Sequence, residues 1–260
     1  MRITAIASRL FACAALVAAA AMTSAPTAAA QPTAPQDFVS LADVDPTILQ
    51  EIRYFTPHNF TGDPVDGYLA PMCILTRSAA EALRRAQQEF LEAGHTLKVY
   101  DCYRPQRAVN DFVAWAKDLA DQRMKAEFYP RVRKKDVFKE GYIAKQSGHS
   151  RGSTMDLTLV KLPAGKQERY HRGDRLRDCA APAGKRFRDN TIDMGTGYDC
   201  FDPLAHPYAP RFRGTKQRRN RLRLRIPMKA AGFKPLATEW WHFTLVDEPY
   251  PDTYFDFPVK

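Results

Sequence analysis

Three side chains of the types that bind metals, and one of the type that moves protons, stand at short spacings in this sequence. His149 and Asp156 lie seven residues apart across the Gly-containing stretch Ser147-Gly148-His149-Ser150-Arg151-Gly152-Ser153-Thr154-Met155-Asp156. Glu239-Trp240-Trp241-His242 adds a second imidazole three positions after another carboxylate. A catalytic zinc takes three protein ligands and leaves its fourth position to water, whose pKa falls to about 7. His149, Asp156 and His242 would fill the ligand places, one zinc per chain. Glu239 would then be the general base that takes the proton of the attacking water and passes it to a leaving amine. The pattern predicts hydrolysis of an amide. Each piece taken singly is also an ordinary structural motif, since the chain has six histidines and a lone histidine is more often packing than a ligand.

Strands and corners must position these groups. In the stretch after Gly152, Asp156, Thr158 and Val160 share one parity while Met155, Leu157 and Leu159 share the other, so a strand presents Asp156 to the metal and its other side to the core. Ala237–Val246 reads as the last strand. Residues three apart in a regular strand point to opposite faces, so twist, a bulge or the strand end must bring Glu239 and His242 to one metal; otherwise Glu239 lies behind the ligands or on the surface.

Upstream, Ala79, Leu83, Ala86 and Phe90 recur at helical spacing between Ser78 and Ala93, with Gly94 as the stop. Thr96–Tyr103 alternates as a strand. Pro105 then opens a helix to about Leu119 that buries Val109, Phe112, Ala116 and Leu119. Arg104 therefore sits at a strand-to-helix corner, where its fork of donors suits an oxyanion or a carboxylate, a salt bridge to Asp101 or Asp111 being the plain alternative. Asp37–Phe55 reads as a strand, and Tyr54–Tyr68 as a long ordered loop whose Tyr54, Phe60 and Tyr68 suit either a cleft wall or the core. Asp121–Lys145 reads as loop with one short helix. Residues 161–193 read as a basic surface insertion. Met194-Gly195-Thr196-Gly197-Tyr198-Asp199 puts Asp199 on a tight turn, to cap the backbone or to meet a cationic ligand. Asn220–Ala231 reads as a helix kinked or shortened by Pro227, and Asp247–Lys260 as an exposed tail.

Residues 1–30 have the build of a secretory signal peptide: Arg2 and Arg9, an apolar run from Leu10 to Met22, and Ala28-Ala29-Ala30. Cleavage there leaves 31–36 as a disordered tether and 37–260 as one domain. The expected destination is the periplasm, with the cell exterior as the alternative. No later stretch approaches the roughly 20 apolar residues of a membrane span. The formal charge is +10, or +8 without Arg2 and Arg9, with much of it at 185–188 and 211–225. The leader argues against nucleic acid as the partner of that charge, and no nucleic-acid module stands in the sequence. An anionic cell-wall polymer or the outer-membrane surface is the expected counterpart, unless the charge serves only solubility.

Beyond the leader stand Cys73, Cys102, Cys179 and Cys200, and an even count in an exported chain predicts disulfides. Three pairings are open. Cys73–Cys102 and Cys179–Cys200 are favoured, because the first joins adjacent elements and the second staples the insertion.

Taken together the chain resembles the zinc D-Ala-D-Ala peptidases, and within them the dipeptidases of the VanX type. The resemblance is carried by Asn59-Phe60-Thr61-Gly62, Pro64-Val65-Asp66-Gly67-Tyr68, Tyr103-Arg104-Pro105 with Arg107-Ala108-Val109-Asn110, the Ser147–Leu159 stretch, Glu239-Trp240-Trp241-His242 and Tyr254-Phe255-Asp256-Phe257-Pro258-Val259-Lys260. It implies His149, Asp156 and His242 as zinc ligands, Glu239 as base and acid, Arg104 at the oxyanion and Asp199 at the substrate's free ammonium, with Tyr68 and Ser147 lining the cleft. Two features depart from it. Thr154 stands where the family's zinc motif has a small Ala, and the 161–193 insertion and the four cysteines have no counterpart in compact cytoplasmic members. The expected architecture is a single α+β domain whose central, mainly antiparallel sheet is flanked by helices, with the zinc site in a cleft on the sheet. The expected reaction is hydrolysis of D-Ala-D-Ala released from peptidoglycan. A D,D-carboxypeptidase or endopeptidase on longer peptides, and a non-catalytic zinc-stabilised binding protein, are the rival functions.

Overall fold

The computed structural model describes residues 33–260. The signal-peptide reading of 1–30 and the start of the 31–36 tether lie outside the described residues. In chain order the elements are β1 (Phe38–Ser40), α1 (Leu41–Val44), β2 (Leu49–Gln50), β3 (Ile74–Thr76), α2 (Arg77–Glu92), β4 (His95–Asp101), α3 (Gln106–Lys117), α4 (Lys125–Phe128), β5 (Thr154–Lys161), α5 (Lys216–Ala230), β6 (Phe233–Pro235) and β7 (His242–Leu245). A five-stranded sheet runs in the order β2-β4-β5-β7-β6, and only its β2–β4 pair is parallel. β1 and β3 form a separate antiparallel ribbon. This is the α+β architecture expected from the sequence.

The central strands are buried on both faces, so β5 is covered on its Asp156 side as well as on its Leu157 side. Ala79, Ala80, Ala82, Leu83, Ala86 and Phe90 form the buried stripe of α2, which packs on β4 and α5. Small alanines on that stripe let the helix approach the sheet closely. Buried Gln87 fastens the contact, donating to Thr47 and Thr96 and accepting from the Leu97 amide at 2.9 Å.

Several expected boundaries move. α3 stops at Lys117, so Leu119 lies beyond it and is 52% exposed instead of buried. α5 begins at Lys216, where the Thr215 hydroxyl accepts from the Arg218 amide, and it continues three residues past Pro227. Proline forfeits only the bond towards exposed Arg223, while buried Leu224 and Met228 hold the last turns to the core. The tail is not simply exposed: Phe257 and Val259 are buried, and Val259 bridges to Tyr68. Both favoured disulfides, Cys73–Cys102 and Cys179–Cys200, are present.

Gly152 closes the turn between His149 and β5 in a left-handed conformation (φ +82°), and a Cβ there would overlap the Phe38 ring. Phe38 cannot yield easily, because Tyr103, Phe255 and Phe257 hold it edge-on at 5.0–5.5 Å. Gly152→Ala should therefore lower the unfolding free energy in urea by about 2 kcal/mol or more; a loss within the error of the titration would show that the turn rearranges freely.

Candidate metal centre and cleft

Sheet register assembles the site. Asp101 at the end of β4 lies opposite Asp156 of β5, which lies opposite His242 of β7, so residues far apart in sequence stand in one row. The β4 ladder is irregular between Val99 and Asp101, a local break that re-aims the strand end. His149 joins the row from the 3₁₀ turn Gly148–Arg151, where the Ser147 hydroxyl accepts from the His149 amide at 3.3 Å.

Three atoms converge. His149 Nε2 and His242 Nδ1 are 3.3 Å apart, and they stand 3.3 and 3.1 Å from Asp156 Oδ1. Donors arranged tetrahedrally around zinc at about 2.0–2.1 Å are about 3.3 Å from one another, so this triangle matches one face of such a shell. Asp156 Oδ1 is buried and takes part in no hydrogen bond, as an oxygen reserved for a cation would be. The residues fit a metal ion in both donor chemistry and spacing.

The surrounding bonds fix which atoms point inward. His149 Nδ1 donates to the Cys102 carbonyl at 2.8 Å, which leaves Nε2 its lone pair. Tyr198 donates to Asp156 Oδ2 at 3.0 Å and so turns Oδ1 to the imidazoles. Burial raises the Asp156 carboxyl, yet the charges of the His149 and His242 imidazoles 3.1–3.3 Å from Oδ1 hold it far below the ordinary range.

Glu239 lies in the loop before β7, with Oε2 3.5 Å from His242 Nδ1. The strand starts at His242, not at Ala237 as expected, and this removes the parity conflict: His242 follows strand geometry and Glu239 does not. Two buried tryptophans set the loop. The Trp240 amide donates to the Ala205 carbonyl and its indole to Thr196, while the Trp241 carbonyl accepts from the Leu157 amide. Burial pushes the Glu239 carboxyl up to about 7 against the pull of His242, and a bound dication would draw it back down.

Arg104 follows β4 at the expected corner. Its Nε and Nη2 lie 2.9 and 2.7 Å from Asp101 Oδ2, and Nη1 is 3.4 Å from the Ser147 hydroxyl. Its guanidinium stands 5.0 Å over both the Tyr54 and Phe112 rings. The salt bridge and the cleft placement thus hold together, since Asp101 anchors the group and leaves it in the wall. Asp111 instead accepts from the Asp66 amide.

Asp199 occupies the same cleft, on a left-handed backbone (φ 52°) that places its carboxyl where Tyr54 donates to it at 2.7 Å. Burial and the charge of Asp156 hold the Asp199 carboxyl well above its usual range. The cleft measures about 300 Å³ and has Tyr54, Phe60, Phe112, Tyr142 and Phe201 among its walls. That is at the small end of the roughly 300–1,000 Å³ that holds small molecules. Ser147 lines it. Tyr68 does not: it is buried with its hydroxyl spent on Asp101 Oδ1, so it acts behind the wall.

Three supports escaped the sequence reading: Asp101 as a hub, the Cys102 carbonyl and the Tyr198 hydroxyl. Asp101 shares parity with buried Leu97 and Val99, and a carboxylate on that face was the available signal. Tyr198 stands beside Asp199 in a Gly-bounded turn, where its type alone discloses no partner.

The family model described as "D-ala-D-ala dipeptidase" matches residues 34–168 and 186–260. The chain belongs to the D-Ala-D-Ala dipeptidase family. It is a metallopeptidase. The D-alanyl-D-alanine dipeptidase of Streptomyces coelicolor is 42% identical over 226 residues, spanning 86% of this chain and 98% of that protein. Those of Enterococcus faecalis and Enterococcus faecium are 39% and 36% identical, over 81% and 86% of this chain and 92% and 98% of theirs. Only residues 169–185 fall between the two matched stretches, a narrower excursion than 161–193. Thr154, the departure beside Asp156, is buried and pairs its hydroxyl with Thr244 across β5 and β7 at 2.9 Å.

If Tyr198 orients Asp156, Tyr198→Phe should weaken metal binding by about tenfold or more, read by competition with a chromophoric chelator. Unchanged affinity would reduce the hydroxyl to packing.

Proposed function

We propose that the chain hydrolyses D-Ala-D-Ala to two D-alanines with one zinc ion held by His149, Asp156 and His242. The observation that carries this is the buried Asp199 carboxyl, placed in the same small cleft as the three converging ligand atoms. A buried carboxyl whose ionisation is disfavoured by its surroundings gains most from a facing cation, and the free ammonium of a dipeptide supplies one. Longer peptides have no such group at that distance from the bond to be cut.

A bound zinc polarises the scissile carbonyl and activates water for attack. The protein does the rest. Glu239 takes a proton from the attacking water as the carbon–oxygen bond forms, and hands it to the nitrogen as the carbon–nitrogen bond breaks. Arg104, locked by Asp101, presents guanidinium donors to the oxygen that gains charge. Asp199 fixes the amine end and so sets substrate length, while Ser147 lines the wall beside Arg104.

The leader reading places this reaction outside the cytoplasm, in the periplasm or beyond it, on dipeptide released during wall turnover. The positive charge suits residence against an anionic component of the envelope.

The deciding experiment measures D-alanine release by the zinc-loaded protein from D-Ala-D-Ala and, in parallel, from a muramyl pentapeptide ending in the same pair. Cleavage of the dipeptide alone is expected. Asp199→Asn should raise KM for the dipeptide at least tenfold, as an order of magnitude for a lost buried ion pair, and Glu239→Gln should cut kcat about 10²–10⁴-fold with metal still bound. Release only from the pentapeptide would make the protein a carboxypeptidase, and silence on both would leave a binding protein.

A further inference from the structure

The positive charge of the chain is concentrated. Residues 203–238 contain ten Lys or Arg and no Asp or Glu, whereas the remainder beyond residue 32 holds 27 Lys or Arg against 29 Asp or Glu. Ion pairs elsewhere consume cations freely, but among the described residues none of these ten is paired with a carboxylate. Their partners are carbonyls and rings. Buried Arg221 donates to the Met194, His206 and Leu204 carbonyls at 2.6–2.8 Å, and Arg218 and Arg225 sit 4.6 and 4.7 Å over the Tyr208 ring. Burial first, and then the neighbouring Arg218 and Arg186 charges, push the Arg221 guanidinium down to about 9.

On α5 the exposed positions Lys216, Arg219, Arg223, Ile226 and Lys229 follow one another at three- and four-residue steps, so they share the outer face of the helix. Two large apolar side chains lie among the cations: Ile226 is 63% exposed, and Tyr208, beneath Arg218 and Arg225, is 53% exposed. Cations alone would match a soluble polyanion. Cations interleaved with an aliphatic and an aromatic group match a surface that offers phosphates above and hydrocarbon below.

We propose that this face of α5, with Tyr208, seats the protein on an anionic phospholipid bilayer. The proposal rests on the envelope residence inferred above and says which component is bound. Lys216, Arg219, Arg223 and Lys229 meet the headgroups, while Ile226 and Tyr208 enter the interface between them. None of these six residues lines the catalytic cleft.

The test is co-sedimentation of the protein with vesicles of phosphatidylglycerol and phosphatidylcholine mixed equally, against phosphatidylcholine alone, with soluble polyphosphate chains as a second probe. Binding to the anionic and not to the neutral vesicles, weaker binding to polyphosphate, and release from both by salt are expected. Each surface cation contributes about fivefold to such partitioning, so the combined Lys216→Gln, Arg219→Gln and Arg223→Gln variant should bind about 100-fold more weakly. Ile226→Ser should lose about tenfold on vesicles and nothing on polyphosphate. Both variants should cleave the free dipeptide as the parent does, which separates lost binding from lost folding. Equal sedimentation with neutral and anionic vesicles, a triple variant that binds like the parent, or capture by polyphosphate without vesicle binding would overturn the proposal. Vesicle binding by a protein that leaves D-Ala-D-Ala intact would instead retire the dipeptidase reading and leave this surface standing.

Discussion

Four carboxyl groups share one small buried site, and the rest of the structure answers to that crowding. Asp101, Asp156, Asp199 and Glu239 are close enough for their charges to raise one another, and burial raises three of them beyond their ordinary range. Such a cluster survives only beside cations. Arg104 is one, held on Asp101. The triangle of His149, Asp156 and His242 is spaced for a second, a metal ion, and the free amine of the proposed substrate would supply a third facing Asp199. One electrostatic requirement thus accounts for the arginine at the corner and for the cation-ready triangle beside it, and the proposed ammonium contact would meet it further.

Holding that arrangement takes more than the sheet. The His149 turn is pinned from outside by the C-terminal segment, because the Phe255 amide donates to the Ser150 carbonyl and the Gln106 amide to the Phe255 carbonyl. Asp256 then caps the start of α3 through the Arg107 amide at 2.7 Å. From inside, the Cys73–Cys102 disulfide fixes the backbone whose carbonyl orients His149. The last residues of the chain are therefore part of the scaffold around His149, which is why Phe257 and Val259 are buried where the sequence pointed to an exposed tail lying against the body.

The sequence disclosed the parts governed by spacing and not the parts governed by contact. Helix α2, strand β4 and strand β5 follow from apolar periodicity, and the three residues that converge as a candidate ligand set stand out by donor type. The boundary of β7 did not, because Trp240 and Trp241 look like strand residues and act as loop anchors through Ala205, Thr196 and Leu157. Tyr68 lay in a motif that resembles cleft residues, yet its ring turns inward to Asp101, and nothing local separates the two orientations. Asp101 stayed hidden for a related reason. A lone carboxylate on a strand declares its importance only when Tyr68, Arg104 and His149 are seen around it.

The chain between β5 and Asp199 shows how a segment lying between the family-matched stretches is joined to the site. At its downstream end Asp189 is buried against Arg53, Lys98 and Tyr100, and Lys98 also reaches Glu51 at 2.7 Å. Tyr100 stacks on Tyr198 at 4.4 Å, and Tyr198 holds Asp156. Residues 186–193 thereby belong to the packing that supports Asp156, and the family match resumes at 186. Residues 169–185 join the body at other points: Tyr170 stacks on His58 at 4.6 Å, and the Cys179 carbonyl accepts from the Gly197 amide at 2.8 Å. Cys179–Cys200 staples this stretch to the turn before Asp202, and the packing path from Asp189 to Asp156 runs outside it.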